Sequence, residues 1–398
     1  MYSDKLKLGE RKQFPEWEEK ELTLMAPGPT QVSENVRAVR AYNVSSPILD
    51  FRFFDFYKET CKRMGNLLGT KNPFYIMNGE GILGLEAACA SLTEPGDRVL
   101  VIDNGVFGKG FADFVTMYGG EAVTVTFDYH TPVSYEELKA YLEKDHAFKY
   151  ATLVHSDTPS GILNPVETLC PLLKSYGIMA VVDSVTGMFG EELNIDEAQI
   201  DIACGGSQKA LSAPPGLTMV CVSETAKKAM HDRKTPIASF YANLLTYETY
   251  YEDRHFPYTQ PISDIYSLRA ALENCIADTN ILYRHKMIAK AVRTALSEGG
   301  LSLYLKDGFA STVTVFYVPE GLTDRVIMED MMNEHHILIS GSIGELKGKV
   351  IRIGHMGNNA NVEDVAETLD ALTVVLQKHG FSVNGNMKEI FLRELEMC

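Results

Sequence analysis

Between about residues 74 and 223 the chain alternates short apolar runs with segments of helical spacing. The runs RVLVID (98–103), EAVTVTF (121–127), YATLVHSD (150–157), GIMAVVDSV (177–185), IDIACGG (200–206) and LTMVCVS (217–223) have the length of buried strands. Between them, SYEELKAYLEKD (134–145) opens with Ser134 and Glu137 in capping-box spacing. NPVETLCPLLKSYG (164–177) starts near a proline and stops at a glycine, as helices do. Strands alternating with helices predict an α/β fold with a mainly parallel sheet.

The style changes after about residue 262. SDIYSLRAALENCIADTNILYRHKMIAKAVRTALSEGG reads as one long interrupted helical stretch. STVTVFYV (311–318) and GKVIRIGHM (348–356) read as strands, DRVIMEDMMNEHH (324–336) as a helix, and a final helix is expected near 361–380. The expected organisation is a polar arm over residues 1–22, a large domain over 23–278 and a smaller α+β domain over 279–398.

Composition narrows the function classes. The chain has 398 residues, a formal net charge of −16 and a pI of about 5.1, which argues against a nucleic-acid partner. No apolar run approaches the roughly 18–20 residues of a membrane span, and the first residues lack an apolar signal core, so a cytoplasmic location is expected. The seven cysteines are scattered without a C-x-x-C pair, which fits reduced thiols better than zinc or disulfides.

Ligands in open α/β sheets sit beyond the carboxyl ends of the strands. Ser156-Asp157-Thr158, Asp183 and Lys209 fall at such ends. Asp183 closes an apolar run, with Val185 on the same side of the strand. It reads either as a cap for the next helix or as a carboxylate for a protonated ring nitrogen with Val185 packed on the ring. NGEGILGLE (78–86) places Gly79, Glu80, Gly81 and Ile82 at a helix start, where free N–H groups suit a phosphate. Glu80 is electrostatically adverse to one. Phe107 is a core residue or a stacking ring. Arg352, in an apolar strand, is an internal ion-pair partner or a fork for a substrate carboxylate. Lys209, in GGSQKALSAPPG, is a solvated loop lysine or an amine that forms a Schiff base.

DSVTG, followed by GGSQKALSAPPG and preceded near the start by APGPT, resembles the class V aminotransferases, within them the alanine–glyoxylate and serine–pyruvate group. The resemblance runs from about Leu24 to the last helix. It implies the aspartate-aminotransferase-like fold (pyridoxal-phosphate fold type I), with a mainly parallel seven-stranded sheet in the large domain. It implies pyridoxal 5'-phosphate as cofactor and an amino group moving from alanine or serine to glyoxylate or pyruvate.

By position, the resemblance makes Lys209 the Schiff-base lysine and Asp183 the partner of the ring nitrogen. Val185 and Phe107 then lie on opposite ring faces, and Thr158 lies near the ring hydroxyl. Gln208, with the backbone at Gly81 and Ile82, holds the phosphate. Gly28 lines the substrate pocket and Arg352 binds the substrate carboxylate. In RHFPYTQPISDIYSLR, Phe256 and Thr259 occupy positions that the family donates across a homodimer interface, with Phe256 standing where the family has a tyrosine unless Tyr258 substitutes for it.

Glu80 and Phe256 depart from the phosphate-binding pattern. GEGILGLEAA, GVFGKGF and HSDTPSG are similar to pyridoxamine–pyruvate aminotransferases, which take the unphosphorylated vitamer as substrate. That group is the alternative expectation. A desulfurase of the same fold would need a cysteine in HHILISGSIGELKGK, which has none, while Cys398 is terminal. A catalytically silent scaffold would not need Lys209, Asp183 and Arg352 together.

Overall fold

The computed structural model describes residues 22–42 and 44–397. Nearly all of the expected arm, and Cys398, lie outside the described residues.

Seven strands form the central sheet: β1 (Phe74–Asn78), β2 (Arg98–Asp103), β3 (Glu121–Thr126), β4 (Tyr150–Val154), β5 (Met179–Asp183), β6 (Ile202–Gly206) and β7 (Leu217–Val222). Their order is β1-β7-β6-β5-β4-β2-β3. The pairs from β6 to β3 are parallel, while β7 is antiparallel to both β6 and β1. Chain length explains the exception. A parallel return needs a crossover of about a dozen residues or more, and only residues 207–216 separate β6 from β7. That short link carries Lys209.

The inner strands β4, β5, β6 and β7 are buried at every position, as expected of strands covered on both faces. Edge strand β3 exposes Glu121, Thr124 and Thr126. The expected helices form at Tyr135–Leu142, where Ser134 accepts the Glu137 N–H, and at Val166–Ser175. Helix Phe51–Leu67, which the linear pattern did not single out, buries Phe53, Phe54, Tyr57, Cys61 and Met64 on one face.

The stretch after residue 262 divides into Ile262–Ala277 and Ile281–Glu298. The break at Asp278 is held by an ion pair from Arg284 at 2.6 Å. A three-stranded antiparallel sheet follows, with Val350–Gly354 between Val313–Tyr317 and Ser340–Gly341. Helix Val362–Lys378 is not the last, because Met387–Glu396 follows and buries Met387, Ile390 and Phe391.

One apolar cluster fills the sheet and its helices, and another joins the C-terminal helices and strands. Met25 belongs to the second. Residues Thr23–Leu24 pair in parallel with Ile337–Leu338, so the start of the described chain straps onto the C-terminal elements. The strap then crosses the carboxyl ends of the sheet strands.

Candidate active site

A cavity of about 120 Å³ opens where β4, β5 and β6 end. Asp183, Val185 and Thr186 line it after β5, and Ser156 and Thr158 line it after β4. Gln208 and Lys209 close it after β6, with Phe107, Glu80 and Ile82 from two helix starts. A benzene ring occupies a cavity on the order of 150 Å³, so the space is on the scale of a single aromatic ring.

Asp183 is buried and accepts a 2.9 Å bond from the Val185 N–H. Burial pushes its carboxyl up to about 7. The Val185 N–H opposes that rise, the Asp157 charge adds to it, and Lys209 opposes it. A cationic ring nitrogen would reverse this shift by supplying the missing counter-charge. Val185 packs against Gly81, where a Cβ would approach Val185 Cγ2 to 2.6 Å. That close approach accounts for glycine at the helix start.

Lys209 donates to the Pro27 carbonyl at 2.6 Å. Burial lowers its ammonium to about 8, aided by the Arg352 charge and opposed by Asp183 and Glu80. Thr30 holds the turn by donating its N–H to the Gln208 carbonyl and its hydroxyl to the Lys209 carbonyl, each at 3.0 Å. Gly28 lies in the left-handed region at φ 99°, and a Cβ there would come within 2.7 Å of Lys209 Nζ. Strap and lysine thus share a space that only glycine leaves open.

Arg352 sits in the middle strand of the C-terminal sheet, opposite Val315 and Ser340. Its Nε donates to the Gly341 carbonyl at 2.7 Å and a terminal nitrogen to the Thr158 carbonyl at 3.2 Å. Among the described residues no carboxylate lies within ion-pair distance of it, so the guanidinium keeps donors for an incoming one. Burial lowers it to about 10.

The phosphate end differs from expectation. Glu80 is the N-cap of helix Gly81–Leu92, and its Oε1 accepts the Ile82 N–H at 3.1 Å. Its Oε2 lies 3.4 Å from Gln208 Nε2. Glu80 therefore engages two of the three donors expected to hold a phosphate, the Gly81 N–H being the third, and Gln208 Oε1 is buried without a partner. The residues present fit a pyridine ring, and Glu80 in this position competes with a phosphate for the Ile82 N–H and the Gln208 amide.

Gly79, at φ 158°, precedes this cap. Phe256 lies outside the cavity of its own chain, buried in an aromatic stack with ring centroids 4.6 Å from Phe54 and 5.2 Å from Tyr250. Thr259 is exposed on the same segment.

Asp157 was not assigned a role from the sequence, although it stands between two lining residues. Strand alternation is the signal that separates it from them: Ser156 and Thr158 line the cavity, and Asp157 does not. The Pro27 carbonyl was also missed, since backbone acceptors leave no mark in a side-chain pattern.

This fold and this lysine–aspartate–arginine arrangement define a class. The aminotransferase class-V family matches residues 43–368, and the chain belongs to it. It is accordingly an aminotransferase, in a family whose members depend on pyridoxal 5'-phosphate. It is 32% identical to a pyridoxamine–pyruvate transaminase of Mesorhizobium japonicum, over 79% of this chain and 82% of that one. It is also 32% identical to an alanine–glyoxylate aminotransferase of Callithrix jacchus, over 89% and 87% respectively. The solved ureidoglycine–glyoxylate aminotransferase of Bacillus subtilis superposes with a TM-score of 0.92, at 28% identity, over 96% of this chain and all of that one.

Proposed function

We propose that this chain moves an amino group between unphosphorylated pyridoxamine and a small monocarboxylic 2-oxo acid such as pyruvate, giving pyridoxal and the amino acid. The observation that carries the proposal is Glu80, whose carboxylate engages the Ile82 N–H and Gln208 amide that a phosphate would need. Similarity to a relative named for this reaction supports it.

Asp183 would hold the ring nitrogen protonated, with Val185 and Phe107 on the two faces and Thr158 toward the ring hydroxyl. The bound ring supplies an electron sink for the carbon that loses its proton. Lys209, lowered to about 8 by burial, has a neutral amine available near neutral pH and carries the proton across one face. Arg352 would take the substrate carboxylate in a two-point grip and so fix the C–H bond toward Lys209. Gly28 leaves the lysine room to swing from Pro27.

A second reading keeps a resident pyridoxal 5'-phosphate, with alanine or serine as donor and glyoxylate or pyruvate as acceptor. Retention of Gln208 beside the cavity and the alanine–glyoxylate relative favour it. In either reading we propose a homodimer, supported by the exposed apolar side chains of Leu49, Phe51, Phe240 and Tyr241. Among the described residues no helix is long and apolar enough to cross a membrane.

Steady-state assays with pyruvate decide between the readings. Pyridoxamine as a saturable donor, with pyridoxamine 5'-phosphate poor, supports the first. Turnover that requires tightly held phosphorylated cofactor supports the second.

A further inference from the structure

Asp157 stands behind the cavity and no step above uses it. It is fully buried. Its Oδ2 accepts from the Ser160 N–H at 3.1 Å and the Ser160 hydroxyl at 2.6 Å, while Oδ1 has no hydrogen-bond partner. A buried carboxylate oxygen without a partner is costly and calls for an explanation. The chain also makes room for it. Gly105, at the start of helix Val106–Met117, would bring a Cβ to 2.8 Å from Asp157 Cγ. Gly105 has an extended backbone at φ 172° that any residue adopts, so the carboxylate, rather than the backbone, excludes a side chain there.

Asp157 is also the carboxylate that acts on Arg352 through space, in a pair that makes no ion-pair contact. Burial raises the Asp157 carboxyl above the usual carboxylate range, while Ser160, the backbone N–H of Phe107 at the helix start and Arg352 oppose the rise; it is an anion above that raised value.

We infer that Asp157 is a positioning residue that sets how tightly Arg352 holds a substrate carboxylate: a fixed internal anion, near the guanidinium but not on it, that competes with the substrate and lets the amino acid product leave. The inference rests on the proposed role of Arg352. It follows from charge. Arg352 faces one buried anion before substrate arrives and two afterwards, so removing Asp157 strengthens its pull on the second. Asp157 also adds to the negative field on Asp183, so the same residue serves the ring and the carboxylate with opposite signs.

The test is the inhibition constant of acetate, an unreactive monocarboxylate, against pyruvate. It is measured from neutral to alkaline pH in wild type, Asp157→Asn, Ser160→Ala and Arg352→Gln. Asp157→Asn keeps an acceptor for Ser160 and removes the charge. The expected result is an acetate constant about three- to thirty-fold lower than in wild type, as for one unit charge a few ångströms away, with a parallel fall in KM for pyruvate. Ser160→Ala removes a donor that favours the ionised form, and at the neutral end of that range moves the constant in the same direction by less. It also keeps the inference falsifiable if Asp157→Asn fails to fold. An unchanged or higher constant in the folded variants overturns the inference. Arg352→Gln separates the two layers: if it leaves acetate inhibition intact, the proposed role of Arg352 fails. If it abolishes inhibition while Asp157→Asn changes nothing, only the Asp157 inference fails.

Discussion

Replacing Glu80 with serine removes the carboxylate that sits on the expected phosphate donors. Serine is itself a good N-cap, so helix Gly81–Leu92 keeps its start. The magnitude follows from geometry. Glu80 holds the Ile82 N–H at 3.1 Å and the Gln208 amide at 3.4 Å, and two oxyanions sharing such donors lie about 4 Å apart. Unit charges at that distance repel by about 1 kcal/mol in bulk water and about 4 kcal/mol at an effective dielectric of 20. A phosphate carries more than one charge, while Glu80 is exposed and screened by solvent. Together these place the preference for the unphosphorylated ring at about 2–4 kcal/mol, or roughly 30- to 700-fold in affinity. The assay is equilibrium titration of ring-free enzyme with pyridoxal and with pyridoxal 5'-phosphate, followed by absorbance. Wild type should favour pyridoxal, and Glu80→Ser should shift the affinity ratio toward the phosphate form by that factor. An unchanged ratio in Glu80→Ser refutes the reasoning, as does a wild type that binds both forms equally.

Lys209→Ala should lower transamination at least about a thousandfold while leaving the fold intact by circular dichroism, since it removes the proton carrier. Asp183→Asn should abolish turnover yet stabilise the ring-free protein. Burial raises the folded carboxyl from 3.8 to about 7, so between those values the folded state holds a proton that the unfolded state has lost. Stability therefore falls as pH rises through that window, and at pH 8 the variant should recover up to roughly 4 kcal/mol in denaturant melts. Arg352→Gln should raise KM for the 2-oxo acid about 10- to 150-fold, the worth of hydrogen bonds to a charged group, with KM for the vitamer little changed in steady-state kinetics.

The central strands were legible because burial on both faces writes them as continuous apolar runs, and Asp183 and Lys209 stood out by interrupting that pattern. Phe107, Val185, Thr158 and Gln208 gather with them around one cavity. Long-range pairing was not legible. Thr23–Leu24 meets Ile337–Leu338 across most of the chain, and nothing in local periodicity marks two-residue strands. Helix Phe51–Leu67 hid because its buried stripe is built from interleaved aromatic residues within a charged segment. Glu80 was visible as a misfit, but the direction of its side chain was not. Only the folded cap shows the carboxylate turned back onto its own helix and across to Gln208. Phe256 was read by position, while its burial depends on Phe54, Tyr57 and Tyr250, which the linear pattern does not connect.

The most direct test joins the lysine to the vitamer. Ring-free enzyme is incubated with equal amounts of pyridoxal and pyridoxal 5'-phosphate, reduced with borohydride, digested and examined by peptide mass spectrometry. The predicted product is a pyridoxyl group on Lys209, without phosphate. A phosphopyridoxyl group on Lys209 would contradict the choice of vitamer, and a label confined to other lysines would contradict the site.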